Sequence, residues 1–267
     1  MTKYLLSGIL FLILLSTGCK SEIEEKELFK VDHILVWVKD PSKMKSKIED
    51  LGFTGVPDSL SQVHKGQGTA GRYFNFLNGY LELIFVNDTV EFRNNVKANN
   101  LLDFEERKNN VENGFSPFGI GLKMKKYAPN SIPFETIKYR QDWMEEGKNI
   151  YMAVNSKKNK VEPTIFVVYP ELESEVFESE ENLSRIPEEY SMWRAFYKHK
   201  NGVKKITKLV YTLKKTSKKS NTLEAIKKIK MIDFKIGEEY LLEIYFDNNQ
   251  KNQNFDLRPE LPIKIYI

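Results

Sequence analysis

Few residues in this chain offer chemistry, and they are unevenly placed. His33 stands in the middle of the apolar run Val31-Asp32-His33-Ile34-Leu35-Val36-Trp37-Val38. A histidine there is either a hydrogen-bonded core residue or a contact to a metal or substrate. Glu82 lies between Leu81 and Leu83, and a carboxylate in such a place is costly if buried without a partner. Strand side chains alternate faces, so Glu82 points either to solvent or into a site while both leucines point the other way. His64 sits in a loop of small residues, His64-Lys65-Gly66-Gln67-Gly68-Thr69-Ala70-Gly71. There the glycines and Thr69 can let backbone N–H groups approach an anionic ligand. The lysine-terminated spacing of a phosphate loop is missing. Trp37, Tyr73 and Tyr80 are either core or the aromatic lining of a cavity. His199 precedes Asn201-Gly202 and reads as part of a turn. No serine or cysteine nucleophile with a matching histidine stands out, and there is no nucleotide fingerprint.

The elements that position these residues follow from periodicity. The strand at 31–38 is apolar on both faces, and Asp40 caps a helix carrying Met44, Ile48 and Leu51 at helical spacing. Two further strands, Arg72 to Leu77 and Tyr80 to Val86, meet at Asn78-Gly79, a strong hairpin signal. Residues 31–88 thus read β-α-β-β-β, a unit too small to cover its own sheet. Residues 199–267 offer a partner, with strands at Ile206 to Leu213, Met231 to Ile236 and Tyr240 to Phe246 and a helix opening at Asn221. Leu81-Glu82-Leu83-Ile84-Phe85 is echoed by Leu242-Glu243-Ile244-Tyr245-Phe246, as an internal repeat would give. Between them, Phe115 to Met124 and Thr164 to Tyr169 read as extra strands, and the acidic stretch from Glu171 to Glu189 as an exposed excursion. The topology of this middle section, 89–198, is not readable.

The N-terminus sets an address. Lys3 precedes an apolar run from Leu5 to Leu15, and the chain's one cysteine follows at Leu14-Leu15-Ser16-Thr17-Gly18-Cys19. The run is shorter than the ~20 residues that span a bilayer and has the proportions of a signal peptide. The segment resembles a bacterial lipobox, with Ser16 where leucine is usual. Residues 1–18 are therefore expected to be removed and Cys19 lipidated, anchoring a water-soluble body to a membrane of the bacterial cell envelope. The glutamate-rich stretch 19–30 is expected to be a flexible tether. An ordinary signal peptide with a chance cysteine, or a buried N-terminal helix, gives the same pattern. The chain has 41 Lys and Arg against 37 Asp and Glu, a formal net charge of +4. The lysine cluster from Lys204 to Lys219 reads as a solvated face, and nucleic acid is not an expected partner. Beyond Cys19 there is no cysteine, so packing must stabilise the fold without disulfides.

Val31 to at least Leu213 resembles the vicinal oxygen chelate superfamily, and within it the glyoxalase-like domains. The likeness rests on Asp32-His33-Ile34, Gly68-Thr69-Ala70, Asn78-Gly79-Tyr80-Leu81-Glu82-Leu83, Ser116-Pro117-Phe118-Gly119-Ile120-Gly121-Leu122, Glu162-Pro163-Thr164-Ile165-Phe166 and His199-Lys200-Asn201-Gly202. The resemblance implies an α+β fold in which paired βαβββ modules form an open, cupped mixed sheet flanked by helices. It also implies a divalent metal, of zinc, manganese, iron, nickel or magnesium type, held between the modules by His33, Glu82 and Glu243. His33 and Glu82 would then be catalytic, with His64, Thr69 and Tyr80 contacting substrate. Such a metal would polarise a carbonyl or stabilise an enediolate in lyase, isomerase or dioxygenase chemistry. The sequence departs from the family pattern in two places. Thr207 and Lys208 fall where a fourth ligand belongs, and Val167-Val168 stands where relatives carry a carboxylate. A small-molecule binder without turnover and a structural envelope lipoprotein are the competing expectations. Neither the substrate nor the oligomeric state is readable.

Overall fold

The computed structural model describes residues 27–215 and 220–267; the expected signal peptide, Cys19 and most of the expected tether lie outside them. The first strand, β1 (Phe29–Trp37), begins two residues earlier than its apolar run suggests, because Phe29 is itself buried. Helix α1 (Pro41–Glu49) starts where Asp40 accepts a hydrogen bond from the Lys43 N–H, and it buries Met44 and Ile48. A short β2 (Val63–His64) leads to β3 (Thr69–Phe76) and β4 (Gly79–Val86). The hairpin falls where expected, but its two-residue turn is Leu77-Asn78, since Phe76 pairs with Gly79. Gly79 is required at φ 153°, where a Cβ would meet the Asp32 carbonyl oxygen at 2.6 Å.

Two short helical stretches follow α2 (Thr89–Ala98), namely α3 (Phe104–Lys108) and α4 (Asn110–Asn113). The middle section then supplies β5 (Phe118–Met124), β6 (Thr136–Tyr139), β7 (Ile150–Ala153), α5 (Val154–Lys158) and β8 (Thr164–Val167). These strands complete an eight-stranded sheet in the order β2-β3-β4-β1-β5-β8-β7-β6. Each half repeats the other about the antiparallel β1–β5 seam, with β4 parallel to β1 and β8 parallel to β5. The fold is therefore α+β, an open half-barrel of paired modules.

The second half of that sheet does not come from 199–267, as the repeat suggests. Those residues give β9 (Ile206–Lys214), α6 (Asn221–Ile226), β10 (Ile232–Gly237), β11 (Leu241–Phe246), β12 (Asn254–Asp256) and β13 (Ile263–Tyr266). They form a separate five-stranded sheet in the order β10-β9-β11-β13-β12. Strand direction explains why the five-residue echo misleads. β4 runs parallel to the first strand of its unit, whereas β11 runs antiparallel to β9. The second sheet covers the convex face of the first. Ile34, Val36, Leu81 and Leu83 share one core with Leu209, Leu242, Ile244 and Ile265. The Asn78 side chain bonds both the N–H and the carbonyl of Ile206, at 3.0 and 2.7 Å, tying the hairpin turn to β9.

Candidate functional site

With its convex face covered, the half-barrel presents its concave face as a cup of about 680 Å³. Alternation decides what faces it. On β1, His33, Leu35 and Trp37 line the cup, and on β4 Tyr80, Glu82 and Ile84 do so; Leu81 and Leu83 belong to the opposite core. Of the two readings of Glu82, the inward one holds, and the residue is only 4% exposed.

Alternation alone would send Asp32 and His33 to opposite faces. A register shift between Val31 and His33 breaks the pattern, and such a bulge re-aims side chains locally. The fully buried Asp32 carboxylate consequently meets His33 Nδ1 at 2.6 Å. Its other oxygen accepts from the Ser174 N–H at 2.7 Å and hydroxyl at 2.9 Å, with the Lys123 ammonium 3.4 Å away. Burial pushes the Asp32 carboxyl up. The His33 hydrogen bond and charge, Lys123 and the Ser174 N–H outweigh it and hold the group below its ordinary range. An ionised Asp32 only accepts hydrogen bonds. The Nδ1 proton of His33 is thereby fixed and Nε2 is turned to other partners. The His33 ring stacks on Tyr80 at 4.3 Å and lies across Gly121, where a Cβ would come within 2.6 Å of it. This close approach accounts for glycine on β5.

A second network surrounds Glu82. His64 Nδ1 bonds the Thr69 hydroxyl at 2.7 Å, and its Nε2 bonds the Tyr73 hydroxyl at 2.9 Å. Glu82 Oε1 lies 3.4 Å from both the Tyr73 hydroxyl and His64 Nε2. Burial, then the Glu82 charge, pushes the hydroxyls of Tyr73 and Tyr80 well above the ordinary phenol range, so both stay protonated donors. His64 and Tyr80 line the cup. Thr69 is fully buried behind His64 and orients that ring rather than facing the cavity.

Glu243 is not brought to this site. It lies on β11 of the second sheet, bonded to Lys235 at 2.9 Å and to the hydroxyls of Tyr266 and Tyr245 at 3.1 and 3.4 Å. In the half-barrel's second half, the positions facing His33 and Leu35 are Gly121 and Gly119, followed by Thr164 and Phe166 on β8. Among the described residues no three His, Cys, Asp or Glu side chains converge as a metal site. The donor set the resemblance implied does not assemble, because Glu243 lies on the other sheet.

The stretch expected to be an exposed excursion is largely exposed, with Phe177, Leu183 and Ile186 buried, and its first residues also line the cup. Within it and just beyond it lie three 3-10 turns, Pro170–Leu172, Glu180–Arg185 and Glu188–Tyr197. Leu172, Ser174, Trp193 and Tyr197 line the cavity. Ser174 and Lys123, which hold Asp32, carried no sequence signal, because nothing local brings 32, 123 and 174 together. His199 is more than a turn residue: Nδ1 accepts from the Thr54 N–H and Nε2 meets the Asn75 carbonyl, each at 2.9 Å.

Fold and site together define a half-barrel protein of paired modules with an aromatic-lined cup. The chain is similar in structure to a hypothetical protein from Staphylococcus aureus, at 14% identity and a TM-score of 0.52, covering 89% of this chain and 99% of that one. At that identity the likeness shows the fold alone. Methylmalonyl-CoA epimerase from Mycobacterium tuberculosis covers 53% of this chain at 12% identity, 89% of the epimerase being matched, with a TM-score of 0.31. A variant of the Streptomyces coelicolor epimerase, in complex with 2-nitronate-propionyl-CoA, covers 55% of this chain at 15% identity, 99% of that chain being matched, with a TM-score of 0.34. Both scores are too low to bear on chemistry. No family model matches the chain, and no curated protein is similar to it at a significant level.

Proposed function

We propose that this chain is a lipid-anchored protein of the bacterial cell envelope, of vicinal oxygen chelate type, whose cup captures a small oxygen-bearing organic molecule. The observation that carries the reading is the cup itself, about 680 Å³ of mostly apolar and aromatic surface with His33, Tyr80 and Glu82 at its floor. A few polar groups within an apolar concavity are the usual makeup of a small-molecule site. Asp32 holds His33 so that Nε2 is available to a ligand hydroxyl, and the protonated Tyr80 hydroxyl serves a ligand carbonyl. The apolar run ending at Cys19 supports the anchor. Among the described residues no helix is long and apolar enough to cross a membrane.

The test is protein-observed NMR on the full chain against a panel of small hydroxy- and oxo-compounds, with and without EDTA. Binders should perturb Trp37, Tyr80 and Trp193, and chelation should leave them bound. Binders that map outside the cup, or none at all, would sink the reading. For the anchor, Cys19→Ser should move the chain from the detergent to the aqueous phase on Triton X-114 partitioning. A second reading, proton transfer at His33, is favoured by the 2.6 Å Asp32 contact, which resembles the pairing that orients a general base. It predicts solvent deuterium uptake by a bound carbonyl compound, lost in His33→Gln.

A further inference from the structure

We infer that the group taken up against Glu82 is an organic cation, an ammonium or quaternary ammonium. This rests on the cup being a ligand site and specifies what part of the ligand lies deepest. Glu82 is buried, with 4% exposure, yet it is poorly satisfied within the protein. Its contacts with Tyr73 and His64 are each 3.4 Å, long for bonds to a carboxylate, which run about 2.5–2.9 Å. Both His64 nitrogens are already engaged at shorter range by Thr69 and Tyr73. Among the described residues no lysine or arginine pairs with Glu82.

The remaining charges on the cup wall are either paired or at the rim. Arg107 bonds Asp103 at 2.6 Å, Glu171 pairs with Lys148, and Lys65 is exposed at the rim. Beneath the wall, Lys123 is held by Asp32 and Ser174. The floor therefore carries one carboxylate without a close counter-charge. A carboxylate buried in that state is costly unless it gains a partner, and an anionic ligand would find no unpaired lysine or arginine at the floor.

The walls fit the same occupant. Tyr73 and Tyr80 meet edge to face at 5.8 Å around Glu82, and Trp37, Phe166, Tyr139 and Trp193 line the same cavity. Aromatic faces attract alkylated ammonium groups, strongly so when water is excluded. His33 and the Tyr80 hydroxyl then lie on the same strands to take an oxygen on the ligand.

The experiment uses a matched pair of probes, choline and its uncharged isostere 3,3-dimethylbutan-1-ol, titrated into the full chain and read by tryptophan fluorescence and calorimetry. Choline should bind at least tenfold more tightly, and Glu82→Gln should erase that preference while leaving the fold intact by circular dichroism. Equal or tighter binding of the alcohol, or a choline affinity unchanged in Glu82→Gln, would overturn the inference. Should neutral oxygenated compounds occupy the cup while neither choline nor any other ammonium probe binds, the cation assignment fails and the cup stands. If nothing enters the cup, both fall together.

Discussion

Asp32 makes two commitments at once, and its two oxygens divide them. One orients His33 and the other receives Ser174 from the segment after β8 that lines the cup. The position of Ser174 and the direction of the imidazole are therefore joined through a single carboxylate. Replacing Asp32 by Asn should cost about 3 kcal/mol, since Lys123 is then buried without a counter-charge. Ser174→Ala, which keeps the backbone N–H bond, should cost about 1 kcal/mol. Urea denaturation measures both, and the ¹⁵N shifts of the His33 ring should lose their Nδ1-protonated signature only in Asp32→Asn. Equal costs for the two variants would mean that the carboxylate is not the hub. His33 and Glu82 were legible as candidates because each interrupts an apolar strand. Asp32 was not, because its role depends on a bulge that breaks strand alternation.

The segment leading into β9 is pinned to the first module by His199, which packs between Phe53 and Phe76 with ring centroids 5.5 and 5.0 Å away. Accepting from the Thr54 N–H requires a bare Nδ1, so the native ring is neutral. Burial pulls its pKa down from 6.5 to about 4. Between those values the unfolded chain binds the proton and the native chain does not, so stability is complete above about pH 6.5 and falls as the pH drops toward 4. The loss amounts to about 3 kcal/mol. The urea midpoint should decline over that window, and His199→Gln should remove most of the decline. An unchanged slope in the variant would assign the acid sensitivity elsewhere. The dipeptide Asn201-Gly202 marked a turn correctly but said nothing of the histidine before it, whose burial depends on Thr54 and Asn75 across the chain.

The two sheets share one apolar core, with Ile34 and Leu83 from the half-barrel and Ile244 and Ile265 from the second sheet all buried. Neither sheet can expose its side of that core without uncovering the other. Unfolding should accordingly be a single transition by fluorescence and circular dichroism alike. Ile244→Ala, at a site with 0% exposure, should lower stability by about 3 kcal/mol and shift both probes together. Two separated transitions would show that the second sheet is an independent unit. The backing sheet also explains the cup. Because the convex face is covered, the concave face is free to be hollow and lined with aromatic rings.

Local patterning was enough to reveal the first module, the Asp40 cap, the hairpin and the placing of Glu82 on the face opposite Leu81 and Leu83, because each is set by neighbours within a few positions. The address proposed from Cys19 rests on contiguous residues alone. Which segment completes the half-barrel was not legible. β5 and β8 read as extra strands, but β6 and β7 between them are only four residues each, so the second module's outline is weak beside the antiparallel echo at 242–246. The fate of Glu243 followed from that same ambiguity. Strand order and direction arise from long-range pairing, and pairing partners far apart in the chain leave no periodic trace in either segment.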